Sequence, residues 1–268
     1  MSPARVIVAG CGGAMGRAIL KSATDKGVAL GGGFEHPESP LIGRDLATLI
    51  DADTMGSPIT DKVEEVVTVG DVVIDFTVPA ATIATATSVA AQKGAMVIGT
   101  TGFSDKDEEK IRSLSKEIPI VKSGNMSLGV NLLCALVNRA AASLPDNYDI
   151  EIVEAHHRRK VDAPSGTALM LGVAAAEGRQ ISLTENSVRT RDGISEPRKT
   201  GEIGFAVIRG GGIIGDHEVQ FAGDKELLTL SHHAIDRSLF ADGAIAAAQW
   251  VAGKPPGLYS MRNVLGLE

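Results

Sequence analysis

Five short, largely apolar runs punctuate the first 122 residues, and the stretches between them read as helices. The runs are Arg5–Ala9, Val28–Glu35, Asp71–Phe76, Ala95–Gly99 and Pro119–Lys122. Strands that are apolar on both faces belong in a parallel sheet covered by helices on either side. The intervening segments fit that role. Arg17–Ser22 begins a helical pattern, and Pro79 opens an alanine-rich helix to about Gln92, at a position where proline is tolerated. Ser104 and Asp107 resemble a capping box ahead of a helix over Glu108–Lys116. Only the second run is weak, because Gly31, Gly32 and Gly33 interrupt it.

The pattern changes after residue 127. A long helix is expected over Leu128–Leu144, then a strand over Asp149–Ala155 and a helix from about Gly166 to Glu177. Three extended runs follow between Glu202 and His233 with short glycine-containing links and no helix between them, which favours a mostly antiparallel sheet. Leu239–Val251 returns to helix, and the polar, aperiodic segment Arg179–Lys199 reads as an exposed loop. The expected class is α/β in two domains. Residues 1–127 with 236–268 form a Rossmann-like, dinucleotide-binding domain with a parallel sheet. Residues 128–235 form an α+β domain for substrate and oligomerisation.

The glycine turn supports the first assignment. Gly10, Cys11, Gly12, Gly13, Ala14, Met15 and Gly16 follow a strand and open a helix, where glycine permits a tight turn and close approach to a pyrophosphate. The spacing is not the strict G-x-G-x-x-G, since Met15 takes the last glycine position. Glu35 ends the second run about where a ribose-binding carboxylate belongs, with His36 beside it. Two more loops follow strand ends, Gly99, Thr100, Thr101 with Gly102, and Ser123, Gly124, Asn125, Met126 with Ser127. Small polar residues there leave room for a nicotinamide ring, although each loop taken singly would be unremarkable.

A second constellation lies at Glu154–Ala168, EAHHRRKVDAPSGTA. His156, His157, Arg158, Arg159 and Lys160 precede a turn into an apolar helix opened by Gly166 and Thr167. Such crowding suits an anion held by cations and helix N–H groups, and histidines can move protons near neutral pH. A solvated basic loop is the bland alternative. The formal net charge of −7 and an aromatic content of 3% argue against nucleic acid or an anionic membrane as partner, so a small anion fits better. Cys11 and Cys134 do not make a disulfide framework, no signal-type or membrane-spanning run is evident, and a cytoplasmic location is expected. No metal motif is present: adjacent histidines in an extended segment point apart, and neither Cys-x-x-Cys nor His-Glu-x-x-His occurs.

Across nearly its whole length the chain resembles the 4-hydroxy-tetrahydrodipicolinate (dihydrodipicolinate) reductase family. The likeness is carried by VAGCGGAMGR at 8–17, DFT at 75–77, IGTTGF at 98–103, GNMSLGVN at 124–131, the 154–168 motif, GEIGFAVIRGG at 201–211, GDH at 215–217 and FADGA at 240–244. The resemblance implies that His156 is the proton donor/acceptor, Lys160 a second proton donor, and His157, Gly166 and Thr167 substrate-binding. It places NADH or NADPH on Gly10–Met15, Glu35, Gly99–Thr101 and Ser123–Met126. It further implies hydride transfer to C4 of a cyclic imine dicarboxylate, protonation of the resulting enamine on carbon, and a homotetramer joined through the second domain's sheet.

The chain departs from familiar members beside the adenosine ribose. His36 stands where arginine is common, and Ala14 where some members carry arginine. Tight binding of a 2′-phosphate is therefore in question. Two other readings remain open: a different two-domain dinucleotide dehydrogenase, which would carry another substrate cluster, and a non-catalytic dinucleotide sensor, which has no need of Lys160. Arg209, His217, His232 and His233 lack an assigned role at this level, with substrate-carboxylate binding one option for Arg209.

Overall fold

A computed structural model of the chain describes residues 4–50, 54–194 and 196–267. They divide into two units, one running to Ser127 and resuming at Ser238, the other spanning Leu128–Arg237.

The first unit begins with β1 (Val6–Ala9), α1 (Ala14–Asp25) and β2 (Leu30–Phe34), followed by the short helix α2 (Val63–Val66). It continues through β3 (Val72–Asp75), α3 (Pro79–Ala91), β4 (Ala95–Ile98), α4 (Asp105–Leu114) and β5 (Pro119–Lys122). The sheet is six-stranded with order β11-β5-β4-β3-β1-β2, where β11 is Gly257–Tyr259 near the C-terminus. Every pairing is parallel. One face packs Val6, Val8, Ile74, Val97 and Val121 against Ile19 and Leu20 of α1 and alanines 241, 244, 247 and 248 further along the chain. The other packs Ile7, Val73, Met96, Ile98 and Ile120 against Ala86, Val89 and Ile111. Each fully buried Val or Ile contributes roughly 1.5–3 kcal/mol, so a sheet covered on both faces accounts for the unbroken apolar runs.

Two helix starts repay attention. Ser104 caps α4 with Asp107 reciprocating, which moves the helix start back to Asp105 from the Glu108 read in the sequence. α1 starts at Ala14, inside the glycine run rather than at Arg17. β2 pairs with a register shift between Val6 and Ile7, and its glycine-rich sequence supplies the irregularity. β11 was not anticipated; three residues after Pro255 and Pro256 carry too little pattern to register as a strand.

The second unit contains α5 (Leu128–Ser143), β6 (Asp149–His156), α6 (Gly166–Arg179), α7 (Leu183–Asn186), β7 (Ser187–Val188), β8 (Ile203–Arg209), β9 (Asp216–Ala222) and β10 (Leu227–His233). Its sheet has the order β10-β9-β6-β8-β7. It is antiparallel across β10, β9 and β6, and parallel from β6 through β8 to β7. The mixture follows from the connection: β6 reaches β8 by a crossover containing α6, which returns the chain in the same direction. Consequently β8 and β9 lie on opposite sides of β6 and do not form the hairpin that their short link invites. The core joins Ile150, Ile152, Ile203, Phe205, Val219 and Phe221 to Leu133, Val137 and Leu171 on α5 and α6.

The segment expected as an exposed loop, Arg179–Lys199, is instead partly structured. It holds α7 and β7, and Arg191 and Arg198 both reach Glu151 on β6, Arg191 at 2.8 Å. Polar residues conceal this order because ion pairs secure much of it, with only Ile181 and Leu183 of the described apolar residues packed against the core. After Arg237 the chain returns to the first unit through α8 (Ser238–Val251), β11 and α9 (Met261–Leu265).

Candidate active site

The glycine turn, Glu35 and the two polar loops all follow C-terminal ends of strands in the first unit. That edge, near the point where the strand order reverses between β1 and β3, is where ligands bind in open α/β sheets. Gly10 adopts φ +61°, a conformation that costs other residues strain. At Gly16 a Cβ would lie 2.7 Å from Cys11 Cα, so Gly16, rather than Met15, provides the close helix approach. The start of α1 has Gly13 at its N-cap, no side-chain cap and no acidic residue in the first turn. A twelve-residue helix with such an end fits an anion such as a pyrophosphate.

Glu35 Oε1 accepts from Gly12 N–H at 2.7 Å, and its Oε2 from His36 N–H at 3.2 Å. His36 Nδ1 accepts from Glu38 N–H at 3.3 Å. Arg17 folds back so that Nε donates to Gly12 O at 2.9 Å. Cys11 is fully buried, and burial pushes its thiol up to about 12, so it acts as a packing residue of the turn. Thr100 is buried with its hydroxyl bonded to Thr82 at 2.9 Å, while Thr101 is exposed. The Thr82 and Thr100 hydroxyls donate to the buried Asp75, whose Oδ1 also accepts from Thr77 N–H at 2.8 Å. In the other loop Ser123 Oγ donates to Asn125 O at 2.7 Å, and Met126 buries its side chain in the core, at 1% exposure.

The second constellation grows from β6. Burial along this strand alternates up to Glu154 and then continues through Ala155 and His156. Glu154 and His156 therefore share the face of Ile150 and Ile152. Glu154 Oε1 accepts from Ser165 N–H at 2.9 Å and Arg209 Nη2 at 2.8 Å. Its Oε2 accepts from Arg209 Nη1 at 2.7 Å and lies 2.6 Å from His156 Nδ1. Burial alone would raise the Glu154 carboxyl, but Arg209, His156 and Ser165 outweigh it and hold it below the usual range. Arg209 also donates to the carbonyls of Ile208 and Asp162. Its terminal nitrogens are thus engaged within the protein, which removes the option that they receive a substrate carboxylate.

His217 on β9 meets His156 edge-to-face with ring centroids 5.0 Å apart, and Ser165 Oγ lies 3.2 Å from its Nε2. Ser165 also caps α6, accepting from Ala168 N–H, which brings Gly166 and Thr167 to the helix start beside this cluster. Lys160 Nζ pairs with Asp162 Oδ1 at 2.8 Å, so one anion offsets the crowded cations. His157 Nδ1 is buried with no hydrogen-bond partner among the described residues. Its imidazole is lowered by desolvation first, then by Arg159, Arg237, His156 and Lys160. Among the described residues no group of His, Cys, Asp and Glu is arranged to hold a metal ion.

Glu154 and Ser165 were not singled out in the sequence and His217 stood there without an assigned role; the structure gathers all three beside His156. The signal for Glu154 was available: in DIEIVEAH the acidic residue at 154 falls in phase with Ile150 and Ile152, on the buried face.

Burial pushes His217 down to about 4 from 6.5, with His156 adding to the shift and Glu154 opposing it. The unfolded chain therefore binds a proton between these values that the folded protein refuses. This contribution is fully present above pH 6.5 and is lost as pH falls toward 4, by about 3 kcal/mol. Urea midpoints measured from pH 7 to 4.5 are expected to fall, and His217→Gln to flatten the slope. An unchanged slope in that variant would refute a buried neutral His217.

Sequence comparison places the chain in a family. Residues 4–126 match the family described as dihydrodipicolinate reductase, N-terminus, and residues 129–265 its C-terminus. A 4-hydroxy-tetrahydrodipicolinate reductase of Rhodopseudomonas palustris is 54% identical over 269 residues, covering 100% of this chain and 99% of that protein. One from Brucella abortus is 54% identical over 265 residues, covering 98% and 99%. Among solved structures, a dipicolinate-bound dihydrodipicolinate reductase from Paenisporosarcina sp. superposes with TM-score 0.77 at 24% identity, covering 97% of this chain and 98% of the other. An amine dehydrogenase from Mycobacterium smegmatis shares the fold at TM-score 0.62 and 14% identity, covering 97% and 95%. With both parts of the family matched and full-length relatives at 54% identity, this chain belongs to the 4-hydroxy-tetrahydrodipicolinate (dihydrodipicolinate) reductase family.

Proposed function

We propose that the chain reduces 4-hydroxy-tetrahydrodipicolinate, by way of dihydrodipicolinate, to tetrahydrodipicolinate in the diaminopimelate route to lysine. The observation carrying this function is the joining of His156, His157 and Lys160 to the start of α6 within one unit, in a chain whose full-length relatives are 54% identical. A bound NADH or NADPH supplies the hydride to C4. The turn Gly10–Met15, Glu35, and the loops Gly99–Thr101 and Ser123–Met126 are proposed to hold that cofactor in the first unit. In the second, Gly166 and Thr167 at the helix start, with His157, hold the cyclic imine dicarboxylate through its carboxylates. Lys160 supplies a cation and a proton near the ring nitrogen, and His156 exchanges a proton with the substrate.

The test is a coupled assay in which the preceding synthase generates substrate and nicotinamide oxidation is followed. Substrate-dependent oxidation is expected, with pyridine-2,6-dicarboxylate, a planar mimic, competing. Cofactor binding without turnover would favour a sensor, and turnover of a sugar acid instead would favour another dehydrogenase.

Cofactor choice follows from the ribose end. The Glu35 carboxylate can accept from both ribose hydroxyls, and its charge opposes a 2′-phosphate. Ala14 offers no cation there. NADH is expected to give a kcat/KM at least equal to that of NADPH, and His36→Arg to shift the ratio toward NADPH, because arginine forks onto phosphate. A strong NADPH preference in the unaltered protein would overturn this and direct attention to Arg17, which lies against the turn.

A homotetramer joined through the second sheet is proposed as well. Val207, Ile208, Leu227 and Leu228 are exposed on β8 and β10, which supports a covered surface. Light scattering giving a monomer at assay concentration would refute it. A cytoplasmic location completes the proposal; no described helix is long and apolar enough to cross a membrane.

A further inference from the structure

We infer that Glu154 is a positioning residue that holds His156 with its proton on Nδ1, presenting Nε2 as the atom that exchanges a proton with substrate, and that Arg209 is a positioning residue that fixes the Glu154 carboxylate and tempers its pull on the ring. This rests on the reading of His156 as the acid, and it adds two residues to the machinery and a direction to the ring.

The geometry leaves one consistent proton arrangement. Glu154 has no exposed side-chain surface, and both of its oxygens are occupied. Three of the four approaching groups can only donate: Ser165 N–H, Arg209 Nη1 and Arg209 Nη2. The fourth contact, Oε2 to His156 Nδ1 at 2.6 Å, holds a proton on whichever partner is the stronger base. A carboxylate already forked by a guanidinium is the weaker base, so the proton belongs to Nδ1. Nε2 is then the free lone pair of the neutral ring and the acidic N–H of the charged ring. The space before it is kept open by Gly215, where a Cβ would stand 3.1 Å from Nε2.

Three strands build this device. His156 on β6 is the register partner of Arg209 on β8, and Glu154 is the partner of His217 on β9. The ionisable groups facing His156 are Glu154 from its own strand, Arg209 from β8, His217 from β9, and His157 from the loop that continues to Lys160 and Asp162. His232 on β10 stands behind His217. Of these, only Glu154 hydrogen-bonds the His156 ring.

The test compares Glu154→Gln with Arg209→Met. Imidazole ¹⁵N shifts of His156, identified by their loss in His156→Gln, report the tautomer without substrate. In the unaltered protein the neutral ring is expected to carry its proton on Nδ1. In Glu154→Gln the proton is expected to move to Nε2, kcat to fall by about 10²–10⁴ as for a mis-set catalytic imidazole, and NADH affinity to stay unchanged. With the anion gone, the charged ring is harder to hold, so the alkaline limb of the kcat profile moves to lower pH. Arg209→Met should do the opposite, because the carboxylate then bears on the ring without a competing cation: Nδ1–H is retained and the limb moves to higher pH. An unaltered tautomer and pH profile in Glu154→Gln would overturn the inference, whatever its thermal stability. If that variant does not fold, an unmoved or downward-shifted limb in Arg209→Met overturns it alone. Normal turnover by His156→Ala would instead remove the acid role of His156, while the tautomer measurement still decides whether the clamp orients the ring.

Discussion

Lys160→Ala and His156→Ala are each expected to lower kcat by about 10²–10⁴, the range for a positioned acid or base, and to leave the affinity for reduced cofactor unchanged. Both residues belong to the second unit, and the proposed cofactor residues to the first. Neither loss should unfold the protein. Removing Lys160 strands Asp162, but that side chain is 54% exposed and water replaces its partner. Removing His156 leaves Glu154 with three donors, those of Ser165 and Arg209. A fall in kcat with an unchanged melting temperature is therefore a chemical effect. His157→Ala is expected mainly to raise KM for the imine, since its proposed role is to hold rather than protonate. Steady-state kinetics with cofactor titration by fluorescence separates these outcomes. Near-normal kcat and KM in Lys160→Ala would show that the 154–168 loop is not the active site.

Gly243→Ala should be among the most disruptive single-methyl changes in the first unit. A Cβ there would fall well inside van der Waals contact of the Met126 carbonyl oxygen and 2.8 Å from its carbonyl carbon. Neither side yields easily, because Gly243 is buried in the middle of α8 and Met126 is 1% exposed in the core. Overpacking of this kind costs about 1–3 kcal/mol and occasionally more, enough to lower Tm by several degrees in a protein of this size. The strain also displaces the loop Ser123–Met126, so KM for the nicotinamide cofactor should rise more than kcat falls. Gly124→Ala is the control: nothing lies within 4 Å of a Cβ at that position, so Tm should hold. Equal melting temperatures for the two variants would mean that α8 does not press on this loop as described.

Local patterns carried much of the architecture. Unbroken apolar runs separated by helices require a doubly covered parallel sheet, and β1, β3, β4 and β5 lie where those runs do. Glycines between a strand and a helix mark a turn that must approach closely. Pro79 and Ser104 mark helix starts because their chemistry suits an N-terminus and little else. The cationic stretch at 156–160 stands out on a chain of net charge −7, since repulsion disfavours such a cluster without an anion to meet it.

Pairing between distant segments was not encoded in any window. β6 separates β8 from β9 because a crossover through α6 returns the chain parallel, which short links and strand propensity do not reveal. Arg209 stood in the sequence as a possible carboxylate binder, but the β6–β8 register sets it beside His156 and in reach of Glu154, which takes both of its terminal nitrogens. Arg17 lies against the glycine turn because α1 begins at Ala14, bringing its guanidinium to the Gly12 carbonyl. Residue types and their spacing thus determined which chemistry the chain can carry, since charge, periodicity and turn preference act over a few residues. Tertiary structure alone decided which charge meets which, because a buried ion pair is set by strand order and register across more than fifty residues of intervening chain.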